Sequence, residues 1–433
     1  VPTTFRNPAF WQHMVTFGVG LGVTGSINPD TAWDALETGA TINWPNPTSN
    51  SAKLDDLLHA AVNGRGGFFS AADPNAFAEG LIEVLRAIVA RVEASATASA
   101  TSSSVLLTES KSYEAGFRSG DWTGTFRSYE ISGAGTKGTL IWDAEDKLRS
   151  MSPAARKIFT HSGTGGVPFQ HSSLSSAQQA ALSYDAENTQ DNLGAERVAW
   201  LRGTETLSLP TGISFRSRTE SGSLRLLGDI VNANPQYAGK ANLGFGQLGG
   251  AEGGSYADFR KDSRPDVVYV GANDGMMHAF DALTGVELFA YIPGELLRAE
   301  GGRSHAPVSR LMATDYTHRY FVDGTPAISD AYIGGTWKSV LLGAMGAGGK
   351  TVYALDVTEP TGFDQTKVMW EFTHPDLGYG VTNPAIVRMA DGRWAAVFGN
   401  GYNSTSHKAM LFIVDLATGA LISKVDTGVG SAG

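Results

Sequence analysis

Between residues 105 and 433 one pattern of strands and turns recurs four times, and this repetition limits the chain's possible folds more than any single motif. The clearest copy has a β-rich run at 267–271, a turn at Asn273-Asp274-Gly275, a run at 276–280, the corner Asp281-Ala282-Leu283-Thr284-Gly285 and a last run at 286–292. A second copy has runs at 395–399 and 411–414, the corner Asp415-Leu416-Ala417-Thr418-Gly419 and a run at 420–425. The third reads 340–343, 352–355, Asp356 and 368–372, and the weakest reads 113–116, 122–131 and 140–142. Leading strands opened by proline precede two copies, at Thr325-Pro326 and Asn383-Pro384, and Asn234-Pro235 opens that of the clearest copy. Proline is tolerated there because a first strand residue needs no ladder donor.

Each copy predicts a four-stranded antiparallel sheet, in which Asp closes an Asx-turn and Gly supplies the positive φ of a tight hairpin. One such sheet cannot cover both of its own faces. Radial stacking covers them, so the expected fold is mainly β, a β-propeller with long blades whose second strands carry Gly116, Gly271, Gly343 and Gly399. The 53 glycines and the low 18% of charged residues suit many tight turns and short strands. Helix-like runs at 153–159, 175–182 and 195–201 mark a helical insertion at about 149–225.

Residues 1–92 read differently. A β-rich run at 14–20 is broken by Gly20, Gly22 and Gly25, and a loop or short helix follows from Asp30. A helix at 55–62 stops at Gly64 and Gly66, and a strand follows at 67–71. Asp73-Pro74 opens a helix at 74–92 with Phe77, Leu81, Val84, Leu85, Ile88 and Val89 on one face. This is a partial α/β unit. Residues 93–104 are almost wholly Ala, Ser and Thr, and read as a linker or extended segment before the propeller at 105–433.

The net charge of −10, from 33 basic and 43 acidic residues, leaves no basic footprint for nucleic acid. Without cysteine there is no disulfide, thiolate metal site or cysteine nucleophile, and no apolar run reaches the ~20 residues of a membrane span. The segment Ala344-Met345-Gly346-Ala347-Gly348-Gly349-Lys350-Thr351 imitates a phosphate loop, but the strand-like run after Lys350 predicts a glycine-rich β-turn. Gly20-Leu21-Gly22-Val23-Thr24-Gly25 has dinucleotide-fingerprint spacing, with Pro29 interrupting the expected helix start. Asp73-Pro74-Asn75 lacks a third ligand in step for calcium, and Asn273-Asp274-Gly275 reads as a hairpin turn. The nine histidines show no metal-ligand spacing, His13 and His59 read as packing residues, and no G-x-S-x-G elbow is present. Trp122, Trp142, Trp337, Trp370 and Trp394 are expected to fill gaps between blades, with carbohydrate stacking as the alternative. No residue is assigned a catalytic, cofactor-binding or metal-binding role.

The segment Leu227-Gly228-Asp229-Ile230-Val231-Asn232-Ala233-Asn234-Pro235, followed by residues 268–280, resembles the signature of the PilY-type pilus tip adhesins, called PilC in neisserial relatives. Phe10-Trp11-Gln12-His13-Met14 and residues 57–66 are similar to the stretch before that family's propeller, so the resemblance covers nearly the whole chain. Residues 14–92 are similar to the closing part of a von Willebrand A domain without its D-x-S-x-S metal motif. The resemblance implies a non-enzymatic biogenesis factor and adhesin at the type IV pilus tip, exported to the cell surface through the periplasm or outer membrane. It implies roles in pilus assembly, in opposing retraction and hence in twitching motility, and in attachment. Minor pilins and host-cell or abiotic surfaces would be its partners. It also implies calcium, in an acidic loop expected after Gly433, and an early start and stop of the sequence within a longer protein. The corners at 281–285 and 415–419 also resemble the blade motif of pyrroloquinoline-quinone dehydrogenases, so the expected propeller is quinoprotein-like and a quinoprotein-type dehydrogenase is the alternative function. The absence of cysteine, and Phe289 and Ile422 where a Trp is usual, count against that chemistry.

Overall fold

The computed structural model describes residues 14–21, 24–71, 96–101, 110–132, 136–220, 222–262, 264–381 and 383–431. Contacts divide the chain into two units, Val1–Ser95 with Arg118–Gly120, and Ala96–Phe117 with Asp121–Gly433.

In the first unit, strand Thr16–Leu21 pairs in parallel with Arg65–Ala71, and helices Pro29–Thr38 and Asn50–Asn63 lie between them in sequence. Parallel pairing requires such a crossover, as the α/β reading expected. Asn28 starts the first helix by accepting from the Asp30 amide at 2.8 Å, and Ser49 caps the second. Pro29 does not interrupt a helix start, as the sequence reading had it; it is the first helical residue, where its missing N–H costs nothing. Buried Asp55 accepts from the Ser26 and Ile27 amides at 3.1 and 3.0 Å and so holds the preceding loop. His59 stacks on Trp44 with ring centroids 4.2 Å apart, a packing role. The helix expected at 74–92, Asp73-Pro74-Asn75, His13 and Gly22-Val23 fall outside the described residues.

The second unit contains the four sheets that the repeats predict. Blade 1 runs Ala96–Thr101, Lys111–Arg118, Thr123–Ile131, Lys137–Asp143. Its first strand lies inside the stretch 93–104, so the Ala, Ser and Thr there include a paired strand. Blade 2 runs Gln236–Ala238, Val267–Ala272, Met276–Asp281, Glu287–Ile292. Blade 3 runs Ala327–Ile333, Thr336–Ala344, Val352–Asp356, Val368–Phe372. Blade 4 runs Ala385–Arg388, Trp394–Gly399, Met410–Asp415, Leu421–Asp426. Gly116, Gly271, Gly343 and Gly399 all sit in second strands, and the three proline-led segments supply first strands.

Alternate residues of one strand serve two cores, which is why the central strands read as continuous apolar runs. Val268, Val270 and Phe280 pack with Tyr113, Phe126 and Trp142 of blade 1. Val267, Tyr269 and Phe289 pack with Leu341, Tyr353 and Leu355 of blade 3. Val340, Leu342 and Trp370 in turn pack with Ala396, Phe412 and Val414 of blade 4.

The Asp corners join blades as well as turning the chain. Asp281 Oδ1 accepts from the Leu283 and Thr284 amides at 3.1 and 2.7 Å, and Asp415 Oδ1 repeats this toward Ala417 and Thr418. The chain then passes through Gly285 and Gly419 at φ 73° and 74°. Trp142, on the last strand of blade 1, donates to the Ala282 carbonyl at 3.2 Å, and Trp370 of blade 3 donates to that of Leu416 at 2.9 Å. Each indole thus lies under the next blade's corner, where a Cβ on Gly285 or Gly419 would come within 2.6 or 2.7 Å of the ring. Trp337 and Trp394 instead meet at the helix Gly250–Phe259, donating to the Glu252 carbonyl and carboxylate at 2.9 Å each.

The insertion carries helices Ser176–Leu182 and Gly194–Arg202 close to expectation, the first begun by a capping box between Ser175 and Gln178. The run at 153–159 is not helical. Ile158–His161 is a strand lying parallel to Glu287–Ile292 and extending blade 2, because its β-branched and aromatic side chains fit the exposed sheet edge and the core beside it.

Candidate functional site

The signature segment 227–235 connects into blade 2, and its backbone crosses the 273–275 turn at close range. A Cβ on Gly228 would lie 2.1 Å from the Asp274 nitrogen, so only glycine permits the crossing. The Gly228 amide donates to Asp274 Oδ2 at 2.9 Å. Asp229, buried, accepts from Asn273 Nδ2 and bonds His318 Nε2, both at 2.7 Å, while its carbonyl accepts from the Asn273 amide at 2.9 Å. Asn273 Oδ1 accepts from the Phe321 amide at 2.8 Å. Farther along, Asn232 donates through its amide and Nδ2 to Asp323 at 3.1 and 2.7 Å, and the Asn234 amide donates to Thr325 Oγ1 at 3.0 Å. The signature is therefore a polar clamp fastening the hairpin turn of blade 2 to the connection that leads into blade 3.

Behind the turn lies a buried charged relay. His278 Nδ1 is 2.7 Å from Glu287 Oε1, and its Nε2 is 3.1 Å from Asp274 Oδ2. Arg156, from the insertion, grips Glu287 through Nε and Nη2 at 2.7 and 2.8 Å. Burial pulls the His278 pKa down, but the Asp274 and Glu287 carboxylates outweigh it and push the value up to about 9. Burial alone would raise Glu287; the Arg156 guanidinium beside it brings it down to about 2. An imidazolium donating to two carboxylates satisfies every polar atom of the triad. These groups hold one another and fasten the insertion to blade 2.

A cavity of about 50 Å³ opens beside the clamp, with Trp122, Trp200, Arg216, Arg218 and Tyr316 on its walls. Arg218 lies 3.9 Å over the Trp200 ring, Arg216 lies 4.2 Å over that of Tyr316, and Trp122 is 4.0 Å from the His318 ring. Burial, with Arg156 and Arg216 nearby, lowers the Arg218 pKa to about 9. The inner faces of the indoles are thus taken by the protein's own cations and imidazole, which leaves the carbohydrate-stacking alternative for Trp122 without a free ring face on that side.

The phosphate-loop imitation is a turn. Residues 344–351 join two antiparallel strands of blade 3, Val352–Asp356 follows in place of a helix, and the Lys350 amide donates to Glu295 at 3.1 Å. Asn273-Asp274-Gly275 is likewise the hairpin turn expected, with Gly275 at φ 93°. Sequence reading missed the relay and the roles of His318 and Asp323. Arg156 and Glu287 stand 131 positions apart, and Asp229 and His318 stand 89, so no local spacing pairs them. Among the described residues no group of three or more His, Cys, Asp or Glu is placed to hold a metal ion.

The family model described as the PilY1 beta-propeller domain matches residues 227–433. A type IV pilus biogenesis factor PilY1 of Pseudomonas aeruginosa strain UCBPP-PA14 is 36% identical over 458 residues, covering 97% of this chain and 38% of that protein. A PilY1 homolog of Xylella fastidiosa is 35% identical over 94% of this chain and 29% of its own length. The crystal structure of the P. aeruginosa PilY1 C-terminal domain is 41% identical over 40% of this chain and 34% of that one, with a TM-score of 0.33. The chain spans less than two fifths of the length of these curated relatives. On these matches the chain is similar to PilY1 proteins along 97% of its length, and residues 227–433 match that family's β-propeller domain.

Proposed function

We propose that this chain works within a non-enzymatic type IV pilus biogenesis factor and adhesin of the cell surface, which supports pilus assembly at the tip, opposes retraction and mediates attachment. The observation that carries this reading is the alignment of 97% of the chain with a relative named for pilus biogenesis. The clamp is consistent with it, because the signature residues are engaged in holding blades and connections together. Minor pilins are the partners this reading calls for, with host-cell or abiotic surfaces beyond them. Among the described residues no helix is long and apolar enough to cross a membrane. The test is in-frame removal of residues 227–433 from the full-length protein, with surface pili counted by electron microscopy. Pili should be lost while the retraction motor is active and recovered when it is inactivated. Normal pili with the segment removed would contradict the proposal, and no recovery without the motor would remove the retraction role.

A further inference from the structure

The connection from blade 2 to blade 3 and the 347–348 turn of blade 3 line a second cleft, of about 540 Å³, that shares only Phe321 with the signature clamp. This volume lies within the roughly 300–1,000 Å³ of ordinary ligand sites. The cleft's charge runs against that of the chain. The protein carries −10, yet Arg303, Arg310 and Arg319 line the cleft against a single acidic side chain on its wall, Glu300. Arg303 and Arg319 are exposed and make no side-chain hydrogen bond or ion pair among the described residues. Arg310 reaches Glu187 at 2.9 Å, a solvent-exposed carboxylate of the kind that contributes little. Lys350 adds a fourth cation, its Nζ 4.9 Å over the Tyr379 ring at the cleft's edge. Of two further nearby carboxylates, Glu295 is occupied by the Lys350 amide and the Thr351 hydroxyl, and Asp185 accepts from the Glu187 and Thr189 amides. The His305 pKa is lowered by burial and then by Arg310 and Arg303, against the smaller opposite effect of Asp185 and Glu187.

Shape narrows the ligand. A lone oxyanion needs a fraction of this space, and Tyr320, Phe321 and Tyr379 give the walls apolar surface as well as charge. Tyr320 is 38% exposed. On its wall, a Cβ on Gly348 would lie 2.0 Å from the Phe321 carbonyl oxygen, so Gly348 of the phosphate-loop imitation serves this close approach. Planar guanidinium groups pair with carboxylates through two parallel hydrogen bonds, and aromatic rings cover the backbone between them.

We propose that this cleft binds an acidic peptide segment of a partner protein, with Arg303 and Arg319 taking its carboxylates and Tyr320 and Tyr379 covering the chain between. The inference stands on the cleft's charge and size and does not depend on the pilus reading. The experiment is fluorescence anisotropy of a labelled oligoglutamate peptide with the whole chain, beside an oligoglutamine peptide and inorganic phosphate as competitor. Saturable binding of the glutamate peptide is expected, weakened at least about tenfold by the double variant Arg303→Glu, Arg319→Glu, and weakened as salt rises. Arg393→Glu, at an exposed arginine of blade 4, should leave it unchanged, and melting temperatures of both variants should match the parent. Equal binding by the double variant, or equal binding of the glutamine peptide, overturns the proposal. Phosphate that binds as tightly as the peptide makes this a small-oxyanion site and overturns it too.

Discussion

At the residue scale, a few buried charges depend on one another, and Arg156 meets Glu287 across 131 positions of sequence. Glu287→Ala leaves Arg156 and His278 buried without their shared carboxylate, and should cost about 3–5 kcal/mol in chemical denaturation. The pH dependence has a definite sign. Because the His278 pKa rises from 6.5 to about 9 on folding, its contribution is complete below pH 6.5 and is lost as pH climbs through 9. Glu371, on the last strand of blade 3, is lifted from 4.5 to about 7 by burial, against the donors Gly294 N and Tyr291 OH. Its contribution is complete below pH 4.5 and is lost as pH rises through 7. Glu287, lowered to about 2, acts in the opposite direction: its contribution is complete above pH 4.5 and is lost as pH falls toward 2. Melting temperature should therefore fall from mildly acid to alkaline pH. Glu371→Gln keeps an oxygen for both donors and should flatten the limb around neutrality; an unchanged slope would contradict the assignment.

Among the elements, the Asp corners and the tryptophans beneath them control blade docking. Gly285→Ala forces a Cβ toward the Trp142 ring at a left-handed position, and a loss of about 1–3 kcal/mol is expected. Trp142→Ala, which empties the same joint, should cost about 3–5 kcal/mol. Gly399→Ala meets open space at an ordinary φ and should be near neutral in the same melts. These corners were legible in the sequence because turn chemistry is local: Asp281 and Gly285 stand four positions apart and act on one hairpin. The blade order followed from the repeats for the same reason. The strand Ile158–His161 was not legible as one, since its parallel partner is Glu287–Ile292. Nor was the helix Gly250–Phe259, whose glycines oppose helix formation. Its Glu252 is held by Arg388 at 2.8 Å and by Trp394, and these contacts outweigh propensity. The clamp was half visible, because the signature residues stood out while His318 and Asp323 did not.

For the whole molecule, the propeller domain joins its blades through shared cores, docked corners and one polar clamp, and it keeps an arginine-lined cleft free on its connecting loops. A scaffold of this kind places binding surfaces on loops while the sheets stay rigid. The similarity to PilY1 proteins and the proposed role in pilus biogenesis are joined most directly by exchange. The measurement is the number of surface pili on cells whose own full-length relative carries this chain in place of its matching segment. Pili should be restored to those of the parent cells, and restoration should be lost when Asp229→Ala breaks the clamp. A chimera that reaches the cell surface in normal amount and leaves the cells without pili would contradict it.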